Sequence, residues 1–203
     1  IGAGAVETLN WLVLGGVVQA RGTYGSSTSG AVFTNDTFFS GSGQLAVRSA
    51  SPVAAVDATW DAGGDADTFV STAANWKDDA LPAFDGTTRA IFATGGVTAT
   101  VNTAIGLYGI TFNSNANFTV AAGAGIISNG AGGILASAPS TTSRTYTLAE
   151  DVVLTDNQTW CVTTNTPGLT TLNVTGSIDD ESVPCAITKT EYGQLTLSAS
   201  NTF

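Results

Sequence analysis

The chain contains no histidine and no methionine, and only six lysines and arginines among 203 residues. Each scarcity excludes something. Without histidine the chain lacks the commonest general base and the commonest metal ligand. Ser-His-Asp triads, Cys-His dyads and His-ligated zinc are excluded for these residues. The six cations lie scattered at Arg21, Arg48, Lys77, Arg89, Arg144 and Lys189, against a formal net charge of −10. They make no basic stripe, so nucleic acid is not an expected partner. Charged residues reach 11%, against about a quarter in an ordinary soluble protein. No apolar run is long enough to cross a bilayer, since Trp11 to Val18 is far too short. Membrane insertion is therefore not expected.

What is present is Gly, Thr, Ser, Ala and Asn, with apolar strand-formers throughout. That recurrence separates the chain from a disordered one, which would be charge-rich and poor in β-branched residues. Few Lys, many Thr, Ser and Asn, and two cysteines read as an extracellular or cell-surface composition. The acidic balance keeps a repetitive β-surface soluble.

The most informative stretch is the last, Ile187 to Phe203. Leu195 and Leu197 alternate with Thr196 and Ser198, the period-2 signature of a strand. Such a strand needs neighbours on both sides, and no capping segment follows. The expectation is a stacked β-architecture continued by something else, a building block and not a catalyst.

Upstream, Leu12 to Gln19 reads as strand, Gly-Gly turn, strand. A turn-rich loop follows over 22–30, then a strand ending at Val47. The segment 50–56 reads as a linker between a β-rich head module, 1–49, and a second module, 57–203. From Ala90 onward short strands alternate with Gly, Asn and Asp: Ala90–Phe92, Val97–Val101, Gly109–Phe112, Phe118–Val120, Tyr146–Leu148, Gln158–Thr163, Thr170–Val174 and Gln194–Ser198. No stretch carries a helical period. The fold class is all-β, read as a right-handed parallel β-helix with a small β-rich N-terminal module, a β-sandwich being the alternative. The Gly-rich stretch 123–133 suits tight corners of the coil.

Cys161 and Cys185 stand 24 residues apart. One coil of a solenoid takes about 20–30 residues, so the two would stack within reach of a disulfide. Two unrelated buried thiols are the plainer reading.

Asp57, Asp61, Asp65 and Asp67 cluster around Gly63-Gly64, and calcium is the one cofactor they would take. The spacing is not that of an EF-hand, and a solvated loop of Asx turns explains it as well. Asp78-Asp79 and Asp179-Asp180-Glu181 are acidic pairs of the kind glycosidases use. Neighbours on a strand point to opposite faces, however, and an enzyme is not expected. Trp11, Trp60, Trp76 and Trp160 with Tyr24, Tyr108, Tyr146 and Tyr192 offer sugar-stacking surfaces or, more simply, core. Trp60 and Trp76 read as a plug at the start of the second module. Asn35, Asn117, Asn157 and Asn173 open glycosylation sequons.

Thr188-Lys-Thr-Glu-Tyr-Gly-Gln-Leu-Thr-Leu-Ser-Ala-Ser-Asn-Thr-Phe203 resembles the autotransporter-associated β-strand repeat of large secreted bacterial surface proteins. Trp60-Asp-Ala-Gly-Gly64, Ser71-Thr-Ala-Ala-Asn-Trp76 and Gly109-Ile-Thr-Phe-Asn113 resemble the opening of such proteins. Gly16 to Gly25 and Phe39 to Val47 resemble their closing segment. Glu191-Tyr192 departs from the motif, which has Gly and a small residue there, and one copy of the central repeat is present. The resemblance implies a secreted or surface-displayed parallel β-helix without catalysis.

A closing segment ahead of an opening segment places one unit's tail against the next unit's head. The expected function is therefore a structural subunit of an extracellular fibre, sheath or surface array, joined to copies of itself head to tail. Leu12, Val13 and Leu14 would form one assembly end and Leu195, Leu197 and Phe203 the other. The alternative is a surface adhesin that binds glycans.

Overall fold

The computed structural model describes residues 2–9, 11–47, 55–64, 67–93, 98–180 and 184–203. The chain divides into two compact units, Ile1–Val53 with Asp180–Pro184, and Ala54–Asp179 with Cys185–Phe203. The expected linker 50–56 lies outside the described residues apart from Ala55 and Val56.

In the first unit, Gln44–Val47 is the central strand. Val6–Leu9 runs parallel to it on one side, and Gly22–Gly25 antiparallel on the other, with Phe33–Thr34 beyond. Tyr24 stacks on Phe33 at 4.9 Å over a small core of Tyr24, Ala31, Ala46 and Val47. Val13–Leu14 and Val17–Val18 form a separate antiparallel hairpin. Its Gly15-Gly16 turn has φ of 57° and 82°, two left-handed residues that glycine adopts without strain.

The second unit is all-β with two large parallel sheets. In the first, Val56–Trp60 pairs with Thr88–Phe92, which pairs with Ala104–Phe112 and then Ile126–Ala136. Beyond that strand the sheet forks. One branch is Val152–Leu154 then Ile178–Asp179; the other is Gln158–Val162 then Ile187–Thr190. The second sheet runs Thr98–Val101, Phe118–Ala122, Arg144–Leu148, Gly168–Val174, Gln194–Leu197. Only Thr164–Asn165 with Gly168–Val174 is an antiparallel strand pair among the described residues of this unit. Each pass of the chain lies beside the one before it: Ser177 bonds Asp151, 26 residues back, and Thr145 bonds Asn117, 28 back.

Strands alternate buried and part-exposed residues, as in Thr88–Phe92 and Gly168–Val174. One face is therefore apolar and the other Thr-rich and wet, unlike the parallel sheets that helices cover on both faces. In-register parallel strands put like residues in columns. Trp60, Phe92 and Phe112 form one, with ring centroids 6.2 and 5.5 Å apart, and Tyr146 stacks on Phe112 at 5.2 Å. The core also holds a polar cluster. Asn129 Nδ2 and Trp160 Nε1 both donate to Gln158 Oε1 at 2.8 Å, and Gln158 Nε2 donates to the Asn129 carbonyl at 2.6 Å.

Two expectations are corrected here. The Gly-rich stretch 123–133 is a corner only at 123–125, between Phe118–Ala122 and Ile126–Ala136, where Gly123 and Gly125 lie against the backbone of Val101 and Thr103; the rest belongs to the strand. Its glycines serve close approach inside a sheet. A Cβ on Gly109 would sit 2.9 Å from the Gly132 carbonyl carbon, and Gly133, at φ 59°, lies against the Thr159 carbonyl. The register shifts across this point, so the glycines mark a bulge.

Cys161 and Cys185 are not bonded to each other. The coil at that level takes 29 residues, as between Asn157 and Ala186, and it sets Thr190 beside Cys161. Cys161 sits half-buried between the core residues Trp160 and Val162, on the outer side of its strand. Cys185 is buried, its thiol 3.5 Å from the Leu154 carbonyl.

Candidate functional site

The second unit presents two kinds of unpaired sheet edge. At one end, Val56–Trp60 pairs only with Thr88–Phe92 among the described strands. The Val56 N–H donates to the Thr87 carbonyl at 2.9 Å. Backbone groups alternate in direction along a strand, so Asp57 and Thr59 face away from that partner. Asp61 continues the alternation, and its N–H is taken by the Asn75 carbonyl at 3.0 Å. Outside Asp57 and Thr59 lies a groove of about 530 Å³, walled by Val56, Ala58, Trp76, Leu81, Pro82 and Ala83, with Asp57, Lys77 and Asp78 at its margins. Val56 and Leu81 are 62% and 51% exposed.

The far wall of the groove is built by the loop before it. Asn75 is fully buried. Its Nδ2 donates to Asp67 Oδ1 and the Phe69 carbonyl, both at 3.0 Å, and its Oδ1 accepts the Gly64 N–H at 3.1 Å. That clamp holds Trp76, whose Nε1 donates to the Val70 carbonyl at 2.8 Å and whose ring meets Trp60 edge-on at 5.3 Å. Trp60 and Trp76 thus close the core at this level. Beside them Val70 and Thr68 bond both backbone groups of Thr100.

At the other end, among the described strands, Ile187–Thr190 pairs only with Gln158–Val162, and Gln194–Leu197 only with Gly168–Val174. Leu195 extends the column Phe118, Tyr146, Leu172; Leu197 extends Val120, Leu148, Val174. Those six are buried to 1% exposure or less, whereas Leu197 is 39% exposed. Lys189 extends the apolar column Ala58, Ala90, Ile110, Ile134, Trp160. Its Nζ donates to the carbonyls of Thr190 at 3.1 Å and Glu191 at 2.5 Å.

Of the residues singled out from sequence, Leu195 and Leu197 lie on this edge. Phe203 is 46% exposed, next to Thr202, which bridges to Asp179. Leu12, Val13 and Leu14 lie in the first unit. Val13–Leu14 pairs with Val17–Val18, so these residues do not form an end of the parallel sheets. Asp57 pairs with Arg89 across neighbouring strands at 3.3 Å. Asp61 accepts the Gly63 N–H at 3.1 Å and Asp67 the Phe69 N–H at 2.9 Å, both Asx turns. The Phe69 N–H, with help from Thr72 and Asn75, holds the Asp67 carboxyl below its usual range. Asp65 and Glu181 lie outside the described residues. No group of three or more metal-ligating side chains occurs among the described residues.

Trp60, Trp76, Trp160 and Tyr146 are core, while Trp11 and Tyr192 are exposed. Asn117 and Asn157 cap N–H groups one coil on, and Asn35 caps its own turn. Reading the sequence missed the Val56–Trp60 edge. Its signal was there in the apolar, polar alternation of Val56-Asp-Ala-Thr-Trp60. No helix among the described residues is long and apolar enough to cross a membrane.

Comparison with protein families, with characterised proteins and with solved structures returns no match.

Proposed function

We propose that the chain is a non-catalytic structural protein. Its second unit is read as a right-handed parallel β-helix, and it serves an extracellular fibre, sheath or surface array by adding parallel strands at its open edges, copy to copy. One observation carries this reading. Leu197 continues a column that is otherwise fully buried yet is itself 39% exposed, and Val56–Trp60 pairs on one side only among the described strands. An unpaired edge with apolar residues behind it binds a further strand through backbone hydrogen bonds and burial together. Burial is worth about 25 cal/mol per Å² of apolar surface. A contact between unlike ends does not close on itself, and it therefore builds filaments. Successive coils, from 20 residues between Ala90 and Ile110 to 32 between Ala58 and Ala90, support the β-helix reading, and the Thr-, Ser- and Asn-rich composition supports the extracellular one.

Negative-stain electron microscopy over a concentration series is the test. Filaments or short stacks at high concentration are expected. Discrete particles, with a sedimentation coefficient that stays monomeric throughout, would overturn the proposal.

A further inference from the structure

Resting on that reading, we infer that the groove outside Val56–Thr59 receives the strand Ile187–Thr190 of a second copy, parallel and in one register. Ile187 then lies opposite Val56, Thr188 opposite Asp57, Lys189 opposite Ala58 and Thr190 opposite Thr59.

Three independent features meet in this register. The first is hydrogen-bond parity. Gln158 N–H donates to the Ala186 carbonyl at 2.8 Å, so Ala186 and Thr188 face the strand below them and Ile187 and Lys189 face out. On the receiving edge Asp57 and Thr59 face out. In a parallel pair a residue bonds the neighbours of the one opposite it. Asp57 opposite Thr188 therefore bonds Ile187 and Lys189, the groups left outward. A slip of one residue turns every donor away from its acceptor and every side chain to the wrong face.

The second feature is length. Both edges offer four residues. On the receiving strand the outward groups are taken by Asn75 from Asp61 onward. On the entering strand the ladder stops at Thr190, and Glu191 turns the chain with φ 63°. The entering chain bends away where the wall begins.

The third feature is the sheet itself. Both edges belong to the same sheet, and the Ala58 to Lys189 column passes through every strand between them. The contact repeats the ladder that already joins each coil to the next.

Variants with one introduced cysteine test this in a Cys161→Ser background, which removes the half-exposed native thiol and leaves the buried Cys185. Asp57→Cys and Thr188→Cys proteins are prepared separately, mixed, oxidised mildly and run on a non-reducing gel. Disulfide dimers are expected from the mixture and from neither variant alone. The double variant is expected to give a ladder of multimers. Thr59→Cys with Thr190→Cys provides a second pair in the same register.

Dimers from Thr188→Cys alone would mean tail-to-tail contact and overturn the inference. Filaments in the microscope with no cross-link from either pair would overturn this register and leave the proposed function standing. No association by sedimentation removes both.

Discussion

Asn157 Oδ1 accepts the N–H of Ala186 at 2.9 Å, 29 residues further along the chain. Asn117 does the same for Thr145 and Asp151 for Ser177. Each sits at a bend between strands, where the backbone leaves the ladder and its N–H loses its regular partner. A short side chain with a carbonyl or carboxylate oxygen supplies the missing acceptor from one coil below. Asn157→Ala is expected to destabilise the protein by about 0.5–1 kcal/mol, since Ala186 is exposed and water replaces the bond in part. Urea unfolding followed by far-ultraviolet circular dichroism measures it; an unchanged midpoint would show that the bend needs no cap.

The buried polar cluster is more costly to break. Gln158→Leu removes the acceptor of both Trp160 Nε1 and Asn129 Nδ2 in a site where all three residues are 2% exposed or less. Two donors then lack their partner, apart from the longer 3.3 Å contact of Asn129 with the Gly133 carbonyl. The expected loss is about 2–4 kcal/mol. Thermal unfolding checks it, and a shift no larger than that of Asn157→Ala would contradict the account.

Glu191 has φ 63°, a left-handed conformation that costs a residue with a side chain about 1 kcal/mol. Glu191→Gly is expected to stabilise by a similar amount, less what glycine gains in the unfolded chain. An increased urea midpoint with unchanged slope is the expected result.

Acid sensitivity follows from two carboxylates. The Phe69 N–H holds Asp67 below its ordinary value of 3.8, and the Thr87 hydroxyl does the same for Asp85. A depressed folded-state pKa gives stability that is complete above the unfolded value and is lost as pH falls through the folded one. Melting temperature is therefore expected to be flat with respect to these groups above about pH 5 and to fall below pH 3.8. In Asp67→Asn the acid-side slope should be shallower, and a parallel curve would remove Asp67 from the account.

The thiols respond to their surroundings. Cys161 is half-buried at the outer face and Cys185 is buried. Under native conditions iodoacetamide is expected to add one group, at Cys161, and after unfolding without reductant a second. A folded protein that takes up no reagent, then gains two groups only after reduction, would show the bond that the register does not make.

The all-β class and most strands of the second unit were legible in the sequence, because a one-sided sheet writes its burial as alternation. Tyr146–Leu148, Gln158–Val162 and Thr170–Val174 are cases where side chains face core and water in turn. Glycine was misread over 126–133, inside a strand. Its absent side chain serves a turn and a close crossing of two backbones equally well, and only neighbouring strands distinguish the two. The thiol pairing failed for a related reason, since coil length changes from one level to the next and spacing alone does not fix what lies beside Cys161.

The sequence by itself determined the alternating faces, the absence of histidine chemistry and the acidic balance, each a property of residues or of near neighbours. Tertiary structure alone decided which residues share a column, that Lys189 stands at the head of an apolar one, and that Asp57 and Thr59 look into a groove. Those are relations between residues as far apart in the chain as Ala58 and Lys189, set by the register of parallel ladders that no local pattern encodes.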